Sequence, residues 1–367
     1  MESVGKQRVG VLFGGRSGEH EISIRSAHSV VEAIDRGRWD PVLIGIDRAG
    51  RWYLHDEETF RRLGPDAAGA ADSEVLLVSR AGCAGLVRAA RPESELVPLD
   101  VAFPVLHGTF GEDGTIQGML ELLALPYVGA GVLGSAVGMD KDVQKRLLRE
   151  ADLPIVDHAL ITATAWSGER DRARQRLAHL PFPLFVKPAN LGSSVGISKA
   201  RNAAELDDAI ALALGYDRKV LVERGIDARE IECSVLGNDD PRASVPGEIV
   251  AEADFYSYAA KYSSTSTARL LIPAPLSDAL RESVRALAVR VFQVLDCAGM
   301  ARVDLFLERG SERVYVNELN TIPGFTSISM YPKLWEASGL GFTALVSRLL
   351  ELALERYAAR RKLRVDV

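Results

Sequence analysis

Cysteine is scarce in this chain of 367 residues, and long uncharged apolar runs are missing. The three cysteines are Cys83, Cys233 and Cys297, which lie too far apart for a disulfide scaffold or a CxxC metal site. No apolar run approaches the roughly 20 residues that a membrane-spanning helix needs. The N-terminal segment also lacks the pattern of a secretory signal. We therefore expect a cytoplasmic protein that does not insert into a membrane.

An excess of positive charge is also missing. The chain has 44 Lys and Arg against 50 Asp and Glu, for a net charge of −6. Sequence-independent nucleic-acid binding needs a basic surface, so we expect no nucleic-acid partner. Hydrophobic residues make up 47% of the chain, which is typical of a globular enzyme and excludes whole-chain disorder. The length predicts two or three domains.

The fold class predicted from the pattern is α/β, with an α+β unit following. Short apolar runs at 9–13, 41–46 and 101–106 alternate with helical stretches, which indicates parallel βαβ units. Apolar residues at helical spacing predict a helix over 115–125. A charged helix beginning near Met139 places a domain boundary close to Gly138.

Two strands near the C-terminal end carry the strongest chemical signal. Residues 301–307 and 313–319 predict a hairpin. Glu318 and Asn320 share one strand face because they are two residues apart, and the hairpin brings Asp304 beside them. Two carboxylates and an amide oxygen suit Mg²⁺. A solvated strand face, which commonly carries Glu and Asn, is an equally weighted alternative.

A small-residue loop supplies the second signal. Lys187 ends an apolar strand, and a Gly/Ser-rich turn follows over 190–196. Such a loop exposes backbone N–H groups and hydroxyls to phosphate oxygens. The lysine precedes the glycines, so this is neither a Walker A motif nor a Rossmann fingerprint. A plain turn is the alternative, although the lysine and the oxygen cluster favour nucleotide phosphate.

Four further residues are candidates, each with an ordinary structural alternative. Arg302 shares a strand face with Asp304 and could stabilise developing negative charge, or merely neutralise that carboxylate. Gly324 could present its N–H to an oxyanion, or form a simple Pro-Gly turn. Glu19 could hold an ammonium group, or complement a helix dipole. His107 alone is more often a structural histidine.

Taken together and in order, these segments resemble the D-alanine–D-alanine ligases of the ATP-grasp superfamily. The resemblance spans nearly the whole chain, and its motifs are FGGRSGEHEIS (13–23), HG (107–108), MDK (139–141), FVKPANLGSSVG (185–196), Glu223 with Glu230, YSYAAKY (256–262), RVD (302–304) and 317–329. It implies a three-domain ATP-grasp architecture with an N-terminal parallel-sheet βα domain. The implied domains are an N-terminal substrate domain (1–138), a central ATP-grasp subdomain (139–226) and a C-terminal subdomain with the metal and catalytic site (227–367).

The resemblance also implies a reaction. ATP would phosphorylate one D-alanine, a second D-alanine would attack, and D-alanyl-D-alanine would enter peptidoglycan synthesis. The implied cofactors are ATP and two Mg²⁺ or Mn²⁺ ions, and the implied partners are D-alanine, ATP and a second copy in a homodimer. Phosphoryl transfer needs cations and positioning more than a covalent nucleophile, which agrees with the lack of a credible nucleophile–base pair.

The resemblance assigns a role to each matching residue. The ATP site would comprise Lys141, Lys187, Ser193, Ser194, Glu223, Ile226, Glu230 and Lys261. The metal ligands would be Asp304, Glu318 and Asn320. Glu19 and His107 would hold the first D-alanine, Arg302 and Gly324 the oxyanion, and Ser329 the second D-alanine. Ser193 and Tyr262 would close the site through hydrogen bonds to Glu19.

The lid segment departs from the family pattern. The family commonly has acidic residues where this chain has Ser257 and Ala259, whereas the Lys261-Tyr262 pair is kept. That pair favours an amine as second substrate, because the D-lactate ligases lack it. A sister D-alanine–D-serine or D-alanine–D-lactate ligase remains the near alternative. A nucleotide-binding regulatory protein and a carboxylase-type ATP-grasp enzyme are the distant ones.

Overall fold

A computed structural model describes residues 5–70, 73–250 and 269–364. The N-terminal third forms a seven-stranded sheet with the order β6-β5-β4-β3-β2-β1-β7. Its strands are β1 Gln7–Gly14, β2 Trp39–Ile46, β3 Trp52–His55, β4 Glu74–Arg80, β5 Cys83–Arg88, β6 Val97–Pro98 and β7 Val101–Pro104. β1 pairs in parallel with β2 and β7, as the pattern predicts. The strands β3 to β6 are antiparallel, so the sheet is mixed rather than parallel throughout.

Two further sheets follow along the chain. The four-stranded sheet has the order β10-β9-β11-β8, with β8 His158–Thr162, β9 Leu184–Pro188, β10 Ser198–Ala200 and β11 Lys219–Arg224. The other has the path β15-β14-β12-β16-β17, and β13 pairs with β12 beside it. Its strands are β12 Ala228–Gly237, β13 Arg242–Ala243, β14 Gly247–Val250, β15 Arg269–Leu271, β16 Gly299–Glu308 and β17 Val314–Asn320.

The helices of the described residues lie on these sheets or between them. They are α1 His20–Ala33, α2 Glu57–Arg61, α3 Thr115–Leu122, α4 Val132–Met139, α5 Lys141–Glu150, α6 Ala163–Gly168, α7 Arg170–Gln175, α8 Ala203–Leu214, α9 Asp278–Val294, α10 Met330–Ala337 and α11 Phe342–Arg360. Ser277 caps the N-terminus of α9, since its side chain accepts from Leu280 N–H at 3.3 Å. The helix predicted over 115–125 ends earlier, because Ala124 has left-handed backbone with φ 54°.

In the hairpin of β16 and β17, β16 alternates as its sequence predicts, whereas the buried residues of β17 are three positions apart. Val303 and Leu305 are buried, whereas Arg302 and Asp304 are only half-buried on the opposite face. Asp304 pairs with Glu318, and Leu305 pairs with Val316, so Asn317 is an extra residue in β17. This β-bulge adds a side chain beside the predicted oxygen cluster.

The C-terminal helix completes the core of the first sheet. Leu345, Val346 and Leu349 of α11 are fully buried and belong to the same apolar cluster as Val11 of β1 and Phe103 of β7. The first sheet therefore buries one face against residues more than 200 positions away in the sequence.

No single helix in the described ranges is long and apolar enough to cross a membrane. The pair Met330–Ala337 and Phe342–Arg360 would qualify by combined length and composition, but it bends by 105° at its break.

Candidate active site

Two lysines join the second and third sheets of the fold. Lys187 on β9 donates from Nζ to Asn317 Oδ1 at 3.0 Å. The Nζ of Lys141, at the start of α5, lies 3.0 Å from Glu318 Oε2. The predicted phosphate-binding lysines and the predicted oxygen cluster therefore lie together in one site.

Lys141 is held in place by the start of α5. Asp140 caps this helix, and its carboxylate accepts from the N–H groups of Asp142 and Val143, each at 3.1 Å. The Lys141 ammonium also donates to the Leu191 carbonyl at 2.8 Å. One lysine thus contacts both the small-residue loop and the hairpin.

The small-residue loop 190–196 has unusual backbone geometry. Asn190 anchors its start, donating from its backbone N and from Nδ2 to Asp217 Oδ2 at 2.8 and 2.9 Å. Ser193 and Ser194 both have left-handed backbone, with φ 51° and 60°. Such strain costs on the order of 1–3 kcal/mol per residue and is found mainly at functional sites. The Ser193 hydroxyl donates to Glu19 Oε1, the contact that the resemblance implies.

Glu19 lies where two loops approach each other closely. It precedes α1, and its N–H donates to Ser17 Oγ at 3.1 Å. A Cβ on Gly108 would lie 2.7 Å from Glu19 Oε2, and one on Gly192 would lie 3.0 Å away. Gly108 also has φ +73°. Only glycine leaves room for the carboxylate in this conformation.

A buried ion cluster lies on the four-stranded sheet. Glu223 accepts from Lys187 Nζ at 2.8 Å, and its other oxygen lies 3.1 Å from Lys145 Nζ. Burial raises the pKa of Glu223, but the two lysines outweigh it and hold the pKa at about 2. The carboxylate is therefore ionised and fixed in orientation.

The predicted metal ligands lie side by side on the hairpin. Asp304 is the register partner of Glu318, and Asn320 Nδ2 lies 3.0 Å from Asp304 Oδ2. Arg302 donates to both Asp304 oxygens, from Nε at 2.6 Å and from Nη2 at 2.7 Å. Arg302 therefore lies beside the oxygen cluster as predicted, in a bidentate pair with one of its members.

His107 and Glu112 bind both backbone groups of Ile322. His107 Nδ1 lies 3.0 Å from the Ile322 carbonyl, and Glu112 Oε2 accepts from the Ile322 N–H at 3.2 Å. Since the carbonyl can only accept, Nδ1 carries the proton, and Nε2 accepts from the Ser26 hydroxyl at 3.0 Å. Both nitrogens of His107 are occupied, and burial lowers its pKa. In this arrangement His107 holds the 321–329 segment against the N-terminal sheet.

The segment after β17 places Gly324 and Ser329 in contact. A Cβ on Gly324 would lie 2.7 Å from Ser329 Oγ. The Ser329 hydroxyl in turn accepts from the Thr326 N–H at 3.0 Å. The two residues that the resemblance assigns to the oxyanion and to the second D-alanine are therefore neighbours.

Two further predicted ATP-site residues, Ile226 and Glu230, follow Glu223 along the chain. Ile226 is half-buried in the turn between β11 and β12, three residues after Glu223. Glu230 on β12 is half-buried and pairs with Phe306. Lys261 and Tyr262 lie outside the described residues, so their roles remain predictions.

Family models cover both halves of the chain. Residues 8–130 match "D-ala D-ala ligase N-terminus", and residues 147–351 match "D-ala D-ala ligase C-terminus". The chain belongs to the D-alanine–D-alanine ligase family. This confirms the resemblance and the ATP-grasp fold class predicted from the sequence.

Relatives within the family match along their full lengths. The chain is 50% identical to D-alanine–D-alanine ligase A of Salmonella typhimurium, over 99% of this chain and 100% of the relative. It is 48% identical to the D-alanine–D-alanine ligase of a Thermoanaerobacter species, over 96% and 98%. The structure of the D-alanine–D-alanine ligase from Coxiella burnetii matches with a TM-score of 0.85 at 40% identity, covering 97% of this chain and 96% of that one.

A D-Ala:D-Ser ligase also shares the fold. The VanG enzyme from Enterococcus faecalis matches with a TM-score of 0.82 at 33% identity, over 95% of this chain and 100% of that one. Its identity is lower than that of the three D-alanine–D-alanine ligases above. The curated relatives at about half identity over the full chain support the D-alanine–D-alanine branch of the family.

The donor set of the site fits what an ATP-dependent ligase family uses, namely ATP and a divalent metal. Asp304 and Glu318 already bind cationic groups of the protein, the Arg302 guanidinium and the Lys141 ammonium. Oxygen donors of this kind suit hard divalent cations. Among the described residues, no group of three or more His, Cys, Asp or Glu side chains is placed to hold a metal. The proposed ligands Asp304, Glu318 and Asn320 are two carboxylates and one amide, so they do not form a group of this kind.

Sequence reasoning missed four residues of this site. Lys145 could have been found from its spacing, because it lies one helical turn after Lys141 and so shares its helix face. Glu232 is two residues after Glu230 and therefore shares its strand face. Asn317 and Glu112 had no such signal. Asn317 lies at a bulge, where the strand alternation is interrupted, and Glu112 lies in a loop, where side chains follow no regular spacing.

Proposed function

We propose that this chain joins two D-alanines into D-alanyl-D-alanine, with hydrolysis of ATP to ADP and phosphate, for peptidoglycan synthesis. Membership of the family at about half identity over the full chain supports this reaction. The single observation that carries it is the contact of Lys141 with both Glu318 and the Leu191 carbonyl. This contact supports the proposal because one ammonium group joins the small-residue loop to the hairpin that carries the proposed metal ligands.

Lys141, Lys187, Ser193 and Ser194 bind the ATP phosphates in this proposal. The two lysines supply positive charge, and the Gly/Ser-rich loop, in which both serines have left-handed backbone, would offer N–H groups to phosphate oxygens. Glu223, Ile226 and Glu230 hold the adenine and ribose side, with Lys261 completing the site. The orientation that Lys145 and Lys187 impose on Glu223 supports this assignment.

Asp304, Glu318 and Asn320 bind two Mg²⁺ or Mn²⁺ ions in this proposal. Bound there, the ions would neutralise phosphate charge and orient the γ-phosphoryl group. Arg302 and Lys141 supply further positive charge on either side. The Asn320 amide would turn its oxygen toward the metal, and oxygen and nitrogen of an amide exchange by a simple flip.

Glu19 orients the ammonium of the first D-alanine, and Ser193 and Tyr262 link it to the closing lid. The D-alanine carboxylate is a poor electrophile, so it first attacks the γ-phosphorus of ATP to give D-alanyl phosphate and ADP. The amine of the second D-alanine, whose carboxylate Ser329 holds, then attacks the carbonyl carbon. Arg302 and the Gly324 N–H stabilise the resulting oxyanion before phosphate leaves. His107 acts by holding the 321–329 segment near the first D-alanine.

A sister ligase that accepts D-serine or D-lactate is the second candidate. The likeness to the D-Ala:D-Ser ligase VanG supports it at the level of the fold. The Lys261-Tyr262 pair in the sequence favours an amine over D-lactate. The experiment must therefore distinguish D-serine from D-alanine as the second substrate.

The proposal extends to domains, location and assembly. We place the domain limits at 1–138, 139–226 and 227–367, and the enzyme in the cytoplasm. Exposed apolar side chains on α3 and α4 support a homodimer. They are Met119, Leu122, Val132 and Leu133.

Phosphate release from ATP and Mg²⁺ tests the reaction. D-alanine, L-alanine, D-serine and D-lactate are supplied singly, and then each of the last three is mixed with D-alanine. Mass spectrometry identifies the products. Release that depends on D-alanine, with an Ala–Ala dipeptide, is expected. A mixed Ala–Ser or Ala–lactate product in preference to Ala–Ala would establish the sister ligase, and no release with any acceptor would contradict the proposal.

A further inference from the structure

Three carboxylates lie in one row across the third sheet. Glu232 on β12 is the register partner of Asp304 on β16, and Asp304 is the register partner of Glu318 on β17. Register partners on neighbouring strands point to the same face of a sheet. The row therefore places one further carboxylate beside the proposed metal ligands, and neither the sequence pattern nor the resemblance assigns it a role.

Arg302 contacts two carboxylates of this row. Its Nε lies 2.6 Å from Asp304 Oδ1 and 3.0 Å from Glu232 Oε2. Its Nη2 donates to Asp304 Oδ2 at 2.7 Å. The guanidinium thus joins a proposed metal ligand to Glu232, and it is shielded from water, with 18% of the side chain exposed.

Glu232 adds one negative charge to this row. Glu232, Asp304 and Glu318 contribute three negative charges, and the contacting Arg302 and Lys141 contribute two positive ones. The sum is −1 with Glu232 and zero without it. Charge interactions are stronger in a shielded site than in water, so this difference bears on metal binding.

We propose that Glu232 is a positioning residue that holds Arg302 and so leaves Asp304 available for the metal ion. Without Glu232, the guanidinium has Asp304 as its partner in the row and neutralises the carboxylate that the metal requires. With Glu232, Arg302 keeps an anionic partner when Asp304 turns an oxygen to the metal. The proposal rests on the metal ligands assigned under the proposed function.

The sheet also offers a matched control. Glu248 on β14 is buried and accepts from Arg229 Nε at 2.9 Å and Nη2 at 2.7 Å. Glu248 is the register partner of Ile231, which lies next to Glu232 and points to the opposite face. Removing its charge therefore breaks a comparable ion pair in the same sheet, away from the row.

Mn²⁺ binding tests the proposal without turnover. Mn²⁺ is titrated into the full chain with saturating ADP and no amino acid, and free Mn²⁺ is read by electron paramagnetic resonance. Glu232→Gln is expected to weaken binding by about 10- to 100-fold, the usual effect of removing a group that orients a metal ligand. Glu248→Gln is expected to bind as the wild type does. Glu318→Gln, which removes a proposed ligand, reports on the metal site itself.

The Mn²⁺ affinities of Glu232→Gln and Glu318→Gln together separate the role of Glu232 from the existence of the metal site. Wild-type affinity in Glu232→Gln, together with loss in Glu318→Gln, overturns the role of Glu232 and leaves the proposed metal site standing. Wild-type affinity in both variants overturns the metal site and this inference together. If Glu232→Gln does not fold, Glu232→Asp keeps the charge but shortens the side chain. That variant is expected to lose kcat while keeping the KM for ATP, and an unchanged kcat contradicts the proposal.

Discussion

The Lys145 ammonium lies 3.1 Å from Glu223 Oε1, although only 1% of the lysine side chain is exposed. Lys187 contacts the other carboxylate oxygen at 2.8 Å. One buried anion therefore compensates two buried cations. An ammonium inside a protein is tolerated only when a countercharge replaces the water that it has lost. The stability of the proposed ATP site thus depends on Glu223.

Glu223→Gln is expected to lower the free energy of unfolding at pH 7 by about 3–5 kcal/mol, because it leaves two buried ammonium groups without an anion. Chemical denaturation measures the loss. The control is Glu169→Gln, which removes an exposed pair with Arg172 and should change stability by less than about 1 kcal/mol. Similar small losses in both variants would contradict the buried-charge account.

The effect of Glu223 should also depend on pH. Its pKa is about 2 in the folded protein, against an ordinary value of 4.5. The stabilisation is therefore complete above pH 4.5 and is lost as the pH falls toward 2. The difference in unfolding free energy between the wild type and Glu223→Gln is expected to shrink as the pH falls over that range. A gap that stays constant would assign the loss to packing.

Glu112 is expected to give the opposite pH dependence. Burial and the nearby Glu19 carboxylate raise its pKa from 4.5 to about 8. Between those values the folded protein holds a proton that the unfolded chain releases, so stability falls as the pH rises. Glu112→Gln should remove this contribution to the fall of the unfolding free energy with rising pH. Unfolding free energies of both proteins, measured across the same pH range, give the difference, and parallel curves would contradict the raised pKa.

Gly108→Ala is expected to raise the KM for D-alanine. The added methyl group would meet Glu19 Oε2 at 2.7 Å, and φ +73° disfavours alanine. A displaced Glu19 should cost about ten-fold in KM or more. Gly118→Ala is the control, since Gly118 lies in α3 with open space around it and should gain up to about 1 kcal/mol of stability. Steady-state kinetics measure the KM for D-alanine in both variants, and equal values would contradict the role given to Gly108.

Arg302→Lys tests whether the guanidinium acts on the transition state. Lysine keeps the charge but cannot make the bidentate pair with Asp304. We expect kcat to fall by about 10²- to 10³-fold while the KM for ATP changes little. Initial rates over a grid of ATP and D-alanine concentrations separate the two constants. An effect confined to the KM for ATP would contradict the oxyanion role.

Strand periodicity predicted the part of the site that obeys it. Glu318 and Asn320 share a face because they are two residues apart in β17, and the extra residue Asn317 brings that face to the side of Asp304. Asn317 was missed because the bulge interrupts that period. Whether the assigned residues bind metal and ATP remains a prediction.

Contacts between distant segments could not be predicted from local pattern. Glu112 binds Ile322 across 210 residues of sequence, and nothing near Glu112 indicates that partner. Lys145 looks like an ordinary charge on an exposed helix until the four-stranded sheet covers it. The prediction of parallel βαβ units is confirmed for β1, β2 and β7, and the antiparallel strands β3 to β6 that extend the same sheet were not predicted.

The burial of α11 against the first sheet has a consequence for synthesis of the chain. Leu345, Val346 and Leu349 complete a core that begins with Val9 and Val11. A ribosome releases those first residues long before it makes the last helix. Until then the N-terminal sheet exposes an apolar face, which is a surface that chaperones bind and that aggregation uses. The order of translation therefore makes the N-terminal third the last part of the molecule to mature.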